Sequence, residues 1–496
     1  MTEIALPILI PLIFTIILLF VRSVICAWRI SIAGSLVLFL TSLYLIHEVT
    51  RYKIITLQMG GWNAPFGITL VIDYLGGIML VVSSFIVFAI SIYSYQFIKN
   101  NERYSKFYLF FFSLTMGVNG AFITGDAFNL YVWFEVMLIS SFVLITMGAK
   151  KEQLEGGIKY MALNLLGSLF FLAGLGLLYG KTGTLNMAHL AQILINDKQS
   201  ILMNTSAMLF FIAFGIKSAV FPLFFWLPSS YHTPNITVTS LFAGLLTKVG
   251  VYALIRFFTL FFVQDAVFWH NLLLIVAALT MVIGGMAAST HYETRRILSY
   301  HIISQIGYMV MGLGIFTPLG IAGAIFFTVH NMIAKTNTFL VAGLISKLKG
   351  TFYLKDIGGL FKESSYLAVL FIIPAFALAG IPPLSGFFAK FILIKSGIDD
   401  KHYIITAVAV LTAMLTLYSM IKIWNEAFLK KQPEQSNNTK NPSKLTLTET
   451  LPSALLGIAS IILGLFASRF FEISMEAGHQ LIDPKNYIDT VLNVIK

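Results

Sequence analysis

The chain is a succession of apolar runs, each long enough to cross a bilayer. About 20 consecutive apolar residues span the hydrocarbon core as an α-helix. Such runs are centred near Phe14, Val37, Phe88, Leu114, Leu138, Leu169, Phe214, Leu245, Leu274, Ile306, Ala334, Phe376, Thr412 and Ile461. Fourteen transmembrane helices are therefore predicted, because lipid offers no partner to a backbone amide and each segment must satisfy its own. Charged residues are 11% of the chain and hydrophobic ones 57%, whereas a soluble domain carries about 25% charge. The fold class that follows is an all-α integral membrane protein with the lipid bilayer as its solvent. The first run, Ile4 to Val21, has no basic residue before it and is read as a retained helix rather than a cleaved signal.

The net charge of +11 does not indicate nucleic acid, since no polar domain exists on which a basic face could sit. Its meaning is topological. Bases flanking the odd-numbered runs on their far side, Arg103 among them, outnumber those on the opposite side, Lys198, Arg256 and Lys496 among them, 18 to 10, so the first side is cytoplasmic and both termini face out. The polar stretch KKQPEQSNNTKNPSK, Lys430 to Lys444, reads as a cytoplasmic linker before the last helix. Cys26 is the single cysteine, which excludes internal disulfides and thiolate clusters. There is no metal motif and no flavin, iron–sulfur or quinone-site signature, so no cofactor is expected. Gly180 to Thr182 reads GKT, but the glycine that a phosphate loop requires five residues earlier is Leu175, and no nucleotide role follows.

Five charges fall well inside apolar runs: Glu135, Lys217, Lys248, Lys335 and Lys390. Lys422 lies near a helix end, where its side chain can reach the interface. A charge at a helix centre costs at least ~2.5 kcal/mol, a burden that a neutral scaffold has no need to carry. The residue types suit proton handling, because desolvation lowers a lysine's pKa and a nearby carboxylate raises it. A glutamate moving toward or away from a lysine can make it take or release a proton. The alternative is structural, with the charges paired to backbone carbonyls at helix breaks.

Polar residues run between these charges. In the tenth run, His301, Ser304, Gln305 and Tyr308 fall at i, i+3, i+4 and i+7, one stripe that suits either a water-lined path or a hydrogen-bonded helix contact. In the eighth, Ser240, Gly244, Lys248 and Tyr252 follow at steps of four. His330 and Lys335 in VHNMIAKTN are five apart, about 140° around a regular helix. They share a face only if that helix is distorted. Pro222 with Pro228 in the seventh run, and Pro382-Pro383 in the twelfth, remove backbone donors and break their helices. Broken helices five runs apart suggest inverted repeats of helices 4 to 8 and 9 to 13. The organisation is then 1–100 for helices 1 to 3, 101–260 and 261–430 for the repeats, 431–448 for the linker, and 449–496 for helix 14 and an outward-facing C-terminus.

KSAVFPLFFWLPSSYHTPNITVTSLFAGLLTKVGVYALIRF (Lys217 to Phe257), RRILSYHIISQIGYM, HNMIAKTNTFLVAGLI and LAGIPPLSGFFAKF resemble the antiporter-like subunits shared by respiratory complex I, membrane hydrogenases and Mrp-type antiporters. GGWNAPFGITLVIDYLGG, TGDAFNLYVWFEV and EGGIKYMALNLLGS look most like the D-type subunits of the Mrp (Mnh) sodium/proton antiporters. The resemblance implies fourteen helices with two inverted repeats and a proton path along the middle of the membrane. It carries the key glutamate and lysines onto Glu135, Lys217, Lys248 and Lys390, with either His330 or Lys335 completing the relay. It further implies a bacterial cell membrane, partner subunits of the A, B, C, E, F and G types, and transport of protons and sodium rather than enzymatic turnover. A proton-pumping subunit of a complex I-like enzyme or hydrogenase is the alternative, and a purely structural subunit a third reading. With both termini outside, alkaline phosphatase fused after Lys496 is expected to be active and green fluorescent protein dark; the opposite pattern inverts the topology.

Overall fold

In a computed structural model, residues 2–99, 104, 106–195, 201–433 and 445–492 are described. Most of the expected linker, 434–444, lies outside them, as do Arg103, Lys198 and Lys496 from the charge comparison. The first half comprises α1 (Leu6–Phe20), α2 (Val24–Tyr52), a hairpin of β1 (Ile55–Gln58) and β2 (Thr69–Ile72), α3 (Tyr74–Ile98), α4 (Phe107–Ile123), α5 (Ala127–Thr146), α6 (Lys151–Thr182), the short α7 (Met187–Ile195), α8 (Ile201–Ser218), α9 (Trp226–Ser230) and α10 (Ile236–Leu260). Then follow α11 (Ala266–Thr290), α12 (Thr294–Ile315), α13 (Pro318–Lys349), α14 (Leu360–Glu363), α15 (Ser365–Ala379), α16 (Ser385–Asp399), α17 (Tyr403–Trp424), α18 (Leu447–Leu465), α19 (Ala467–Ile482) and α20 (Lys485–Val491).

Helix starts are chemically marked. Asp73, Asp126, Asn235 and Thr317 each accept a bond from a backbone amide in the first turn of α3, α5, α10 and α13, satisfying donors that have no partner within the helix. Among the described residues, eleven helices are long and apolar enough to cross a membrane. The fourth, tenth and twelfth expected runs are not among them, each for a local reason. The fourth is the 17-residue α4, the tenth carries the polar stripe, and the twelfth is divided between α15 and α16, 15 residues each.

The bundle has α10 and α13 at its centre. Every residue of α10 is buried, and α13 is enclosed along most of its length by α3, α10, α12, α15, α16, α18 and α19. A helix apolar on all sides belongs inside such a bundle. The two central helices meet so closely at Gly244 that a Cβ there would run into Thr336 Oγ1. The expected small-residue face of the eighth run therefore packs on the helix that carries Lys335. α13 runs unbroken from Pro318 to Lys349; His330 and Lys335 are both enclosed because protein surrounds the helix, without the distortion that a shared face would need.

One expected assignment is corrected. Arg256, counted as an outer-loop base, lies four residues before the end of α10 and is 4% exposed. Its guanidinium donates to both Asp73 oxygens, at 2.6 and 2.8 Å, with the Tyr252 and Tyr487 rings each 5.4 Å away. Asp73 also caps α3 through Gly76 N at 2.9 Å, so one carboxylate joins α3 and α10, and the guanidinium it holds lies against Tyr487 of α20. The partner is 183 residues distant in sequence, which is why the arginine looked solitary. Breaking a buried pair from one side costs about 3–5 kcal/mol. Asp73→Ala is thus expected to lower the thermal stability of the purified protein sharply, and Asp73→Leu with Arg256→Met to recover most of it.

Candidate functional site

The seventh run is broken just after its lysine. α8 ends at Ser218, Ala219 takes a left-handed φ of 62°, and Pro222 sits in the irregular stretch before α9, which contains Pro228. The freed backbone groups are satisfied by protein. Phe221 N donates to Thr280 Oγ1 at 2.9 Å, and Trp226 Nε1 donates to Ile216 O at 2.8 Å. An irregular segment at this depth is tolerated only under such conditions.

Lys217 is 6% exposed and stands over the Phe134 ring with Nζ 5.4 Å from its centroid. Glu135, the next residue on α5, is within electrostatic range of it. Glu135 Oε1 is buried without a hydrogen-bond partner among the described residues, so it is not bonded to the lysine. α8 and α10 approach so closely here that a Cβ on Gly250 would lie 2.6 Å from Ser218 N and 2.9 Å from Lys217 C. That contact brings the next lysine onto the adjoining helix: Lys248, fully buried, donates from Nζ to Ala243 O at 2.5 Å.

Lys335 continues the series. It is fully buried, its Nζ has no partner among the described residues, and it is within electrostatic range of Lys248 and of Lys390. Beside it on α13, both side-chain polar atoms of Asn331 are also unpartnered. His330 shares a 2.8 Å hydrogen bond between Nδ1 and Ser385 Oγ, and its Nε2 has no partner among the described residues. The structure brings both α13 candidates near Lys390. The stripe on α12 is buried throughout, but its members differ. Ser304 donates to Met281 O at 3.1 Å and Tyr308 to Ala409 O at 2.5 Å. Both ring nitrogens of His301, and Gln305 Oε1, have no partner among the described residues.

At the twelfth run, α15 ends at Ala379 and Gly380 turns the chain with φ 90°; Pro382 and Pro383 lie in the break before α16. Lys390 Nζ donates to Leu378 O at 2.8 Å and Ala379 O at 3.0 Å, and lies 5.5 Å from the Tyr308 ring centroid. The carbonyls at a helix C-terminus are unsatisfied and carry about half a negative charge. The break thus creates the acceptor that receives the lysine.

Two groups were not singled out from sequence. His232 follows α9 and lines a cavity of about 300 Å³ with Glu155, Lys159 and Arg296. Its Nδ1 bonds Pro228 O at 2.8 Å and its Nε2 faces Arg296 Nη2 at 3.2 Å. Burial and the neighbouring guanidinium hold its imidazole below the usual histidine range. Glu449, at the start of α18, is fully buried and paired with Lys347. The available signals were a histidine just beyond a proline break and a capping TLTE sequence, Thr446 to Glu449, both commonplace.

Residues 124–416 match the protein family described as NADH:quinone oxidoreductase/Mrp antiporter, TM. The chain belongs to this family. The D-type subunit of the Na(+)/H(+) antiporter of Alkalihalophilus pseudofirmus is 45% identical over 490 residues, covering 98% of each chain. In the Mrp complex from Dietzia sp. DQ12-45-1b, one chain superposes with a TM-score of 0.91 and 29% identity, over 99% of this chain and 100% of that one. A chain of the membrane-bound sulfane sulfur reductase, an archaeal respiratory membrane complex, also reaches 0.91, with 25% identity over 99% and 100%. In this member of the antiporter family, Gly250→Ala is expected to destabilise by about 1–3 kcal/mol through overpacking against the end of α8. Thermal unfolding of the purified protein measures it.

Proposed function

We propose that this chain is the proton-translocating subunit of a multisubunit sodium/proton antiporter, with buried side chains forming a lateral relay. The observation that carries this reading is the line of incompletely paired charges from α5 to α16, in a protein whose relative is named as part of a Na(+)/H(+) antiporter. Glu135 controls proton storage on Lys217, Lys248 passes the proton across α10, and Lys335 with His330 hands it to Lys390. Their electrostatic order, Glu135 to Lys217 and Lys248 through Lys335 to Lys390, supports that sequence. The α12 stripe of His301, Ser304, Gln305 and Tyr308 lines the path.

The runs amount to fourteen crossings, with inverted repeats of helices 4 to 8 and 9 to 13 bounded as 101–260 and 261–430, and the breaks at Pro222 and Pro382-Pro383 giving each half a point of flexibility. Residues 1–100 form the three leading helices, 431–448 the cytoplasmic linker, and 449–496 the last crossing and outward C-terminus. The lysine and arginine bias supports a bacterial cell membrane orientation with both termini out. Partners are the other antiporter subunits. Proton uptake is driven by the membrane gradient and coupled to sodium export within the complex.

The likeness to a respiratory reductase chain supports a second reading, a proton-pumping subunit of a redox complex; the copurifying proteins distinguish the two. In everted vesicles, Lys217→Ala is expected to lower cation-dependent ΔpH at least tenfold with the complex still assembled. Glu135→Gln is expected to lower it by a smaller factor, because Lys217 survives while its control is lost. Undiminished exchange in assembled Lys217→Ala would overturn the relay.

A further inference from the structure

α18 carries four polar or small residues on one face, at positions 449, 453, 457 and 460, with steps of four, four and three. Each faces α13 or α16, the helices that carry the second half of the relay. At the end nearest the linker, Glu449 is 0% exposed and pairs through Oε1 with Lys347. The Lys347 side chain is 24% exposed and lines a cavity of about 350 Å³ that also meets Tyr104, Gln153 and Arg295. One turn deeper, Ser453 Oγ donates to Asn337 Oδ1 at 2.5 Å, two residues along α13 from Lys335. Gly457 presents no side chain beside the same amide; a Cβ there would lie 3.7 Å from Asn337 Nδ2. At the deepest point Ser460 Oγ bonds Ser385 Oγ at 2.9 Å, and Ser385 Oγ bonds His330 Nδ1 at 2.8 Å.

We propose that this face of α18 is a second proton route, running from a port at Glu449 and Lys347 to His330, on the side that the charge bias assigns to the cytoplasm. It rests on the relay reading above, in which His330 exchanges protons with Lys390. Swinging of Lys347 into the cavity releases the Glu449 carboxylate to take a proton. Glu449 to Ser460 is eleven residues, about 16 Å along a helix, so water ordered by Ser453 and Asn337 bridges the hydroxyls. Each hydroxyl accepts one proton and gives up its own, and His330 receives at Nδ1 as it releases from Nε2, the nitrogen with no hydrogen-bond partner among the described residues. Proton number is conserved at every step.

The competing account is structural. Glu449 Oε2 accepts from Thr446 N at 2.7 Å as a helix cap, and serine and glycine are common where membrane helices touch. The two accounts differ for isosteric changes. Glutamine caps as well as glutamate but carries no proton, whereas aspartate keeps the proton and shortens the cap. In everted vesicles containing the whole complex, with rates normalised to the amount of assembled protein, Glu449→Gln is expected to lower cation-dependent proton exchange at least fivefold. Glu449→Asp is expected to keep more activity than Gln, and Ser460→Ala, which removes one hydroxyl and no cap, to lose about as much as Gln. Full activity in Glu449→Gln overturns the route, as does Asp falling to or below Gln. If Glu449→Gln fails to assemble, Ser460→Ala decides alone, and its full activity overturns the route. Lys217→Ala in parallel separates the two ideas: loss there with normal Glu449→Gln leaves the relay and removes the port, while the reverse removes the Lys217 half of the relay and leaves the port feeding His330 and Lys390.

Discussion

A bilayer gives a buried charge no water, and the protein must supply every compensating contact itself. This constraint divides the charges of the bundle into two kinds. Arg256 and Asp73 are held in a bidentate pair between two tyrosine rings, so each charge is matched at hydrogen-bond distance and the pair stays where it is. Lys217, Lys248, Lys335 and Lys390 are treated differently. They face an aromatic ring, a carbonyl of their own helix, no acceptor among the described residues, and two terminal carbonyls. A fully paired charge stabilises but cannot easily change its protonation, whereas an incompletely paired one is costly and responsive. The responsive set crosses the bundle from α8 through the two central helices to α16, and each of its lysines is buried by the protein around it.

Helix breaks supply the missing acceptors. A continuous helix engages its own carbonyls, so Lys248 shares Ala243 O with the helix ladder, whereas a helix end offers carbonyls that have no partner within the helix. Ending α15 at Ala379 exposes two to Lys390, and Gly380 tolerates the left-handed turn that does so. In the seventh run the arrangement is not a mirror copy. Lys217 lies within the last turn before the break rather than reaching back across it, and its negative counterpart is a side chain on α5. The two halves thus solve one electrostatic problem with different groups, a carboxylate that can move and a helix end that cannot.

Much of this was legible in the residues. Apolar run length marked the membrane helices because lipid imposes one thickness on all of them. Prolines marked the breaks because they lack an amide hydrogen, and Glu135 and the lysines were conspicuous against apolar neighbours. Arg256 was misread because its position near a helix end imitates an interfacial base, and Asp73, far away in sequence, imitates an ordinary cap. His232 and Glu449 gave no distinguishing signal, since a loop histidine and a capping glutamate are ordinary until burial and neighbours are known. For His330 and Lys335, sequence spacing posed a conflict that packing removed: a helix surrounded on all sides has no outward face to which either could be lost.

By itself the sequence determined the solvent, the helical class, the sites of backbone interruption and the residue types able to carry charge, because hydropathy, proline and ionisable groups act locally and are read one segment at a time. Tertiary structure decided which charges are quenched and which are left open. That property belongs to distances between helices far apart in the chain: Arg256 to Asp73, Lys390 to the end of α15, Ser460 through Ser385 to His330. No single run contains the partner that determines what its own charge can do.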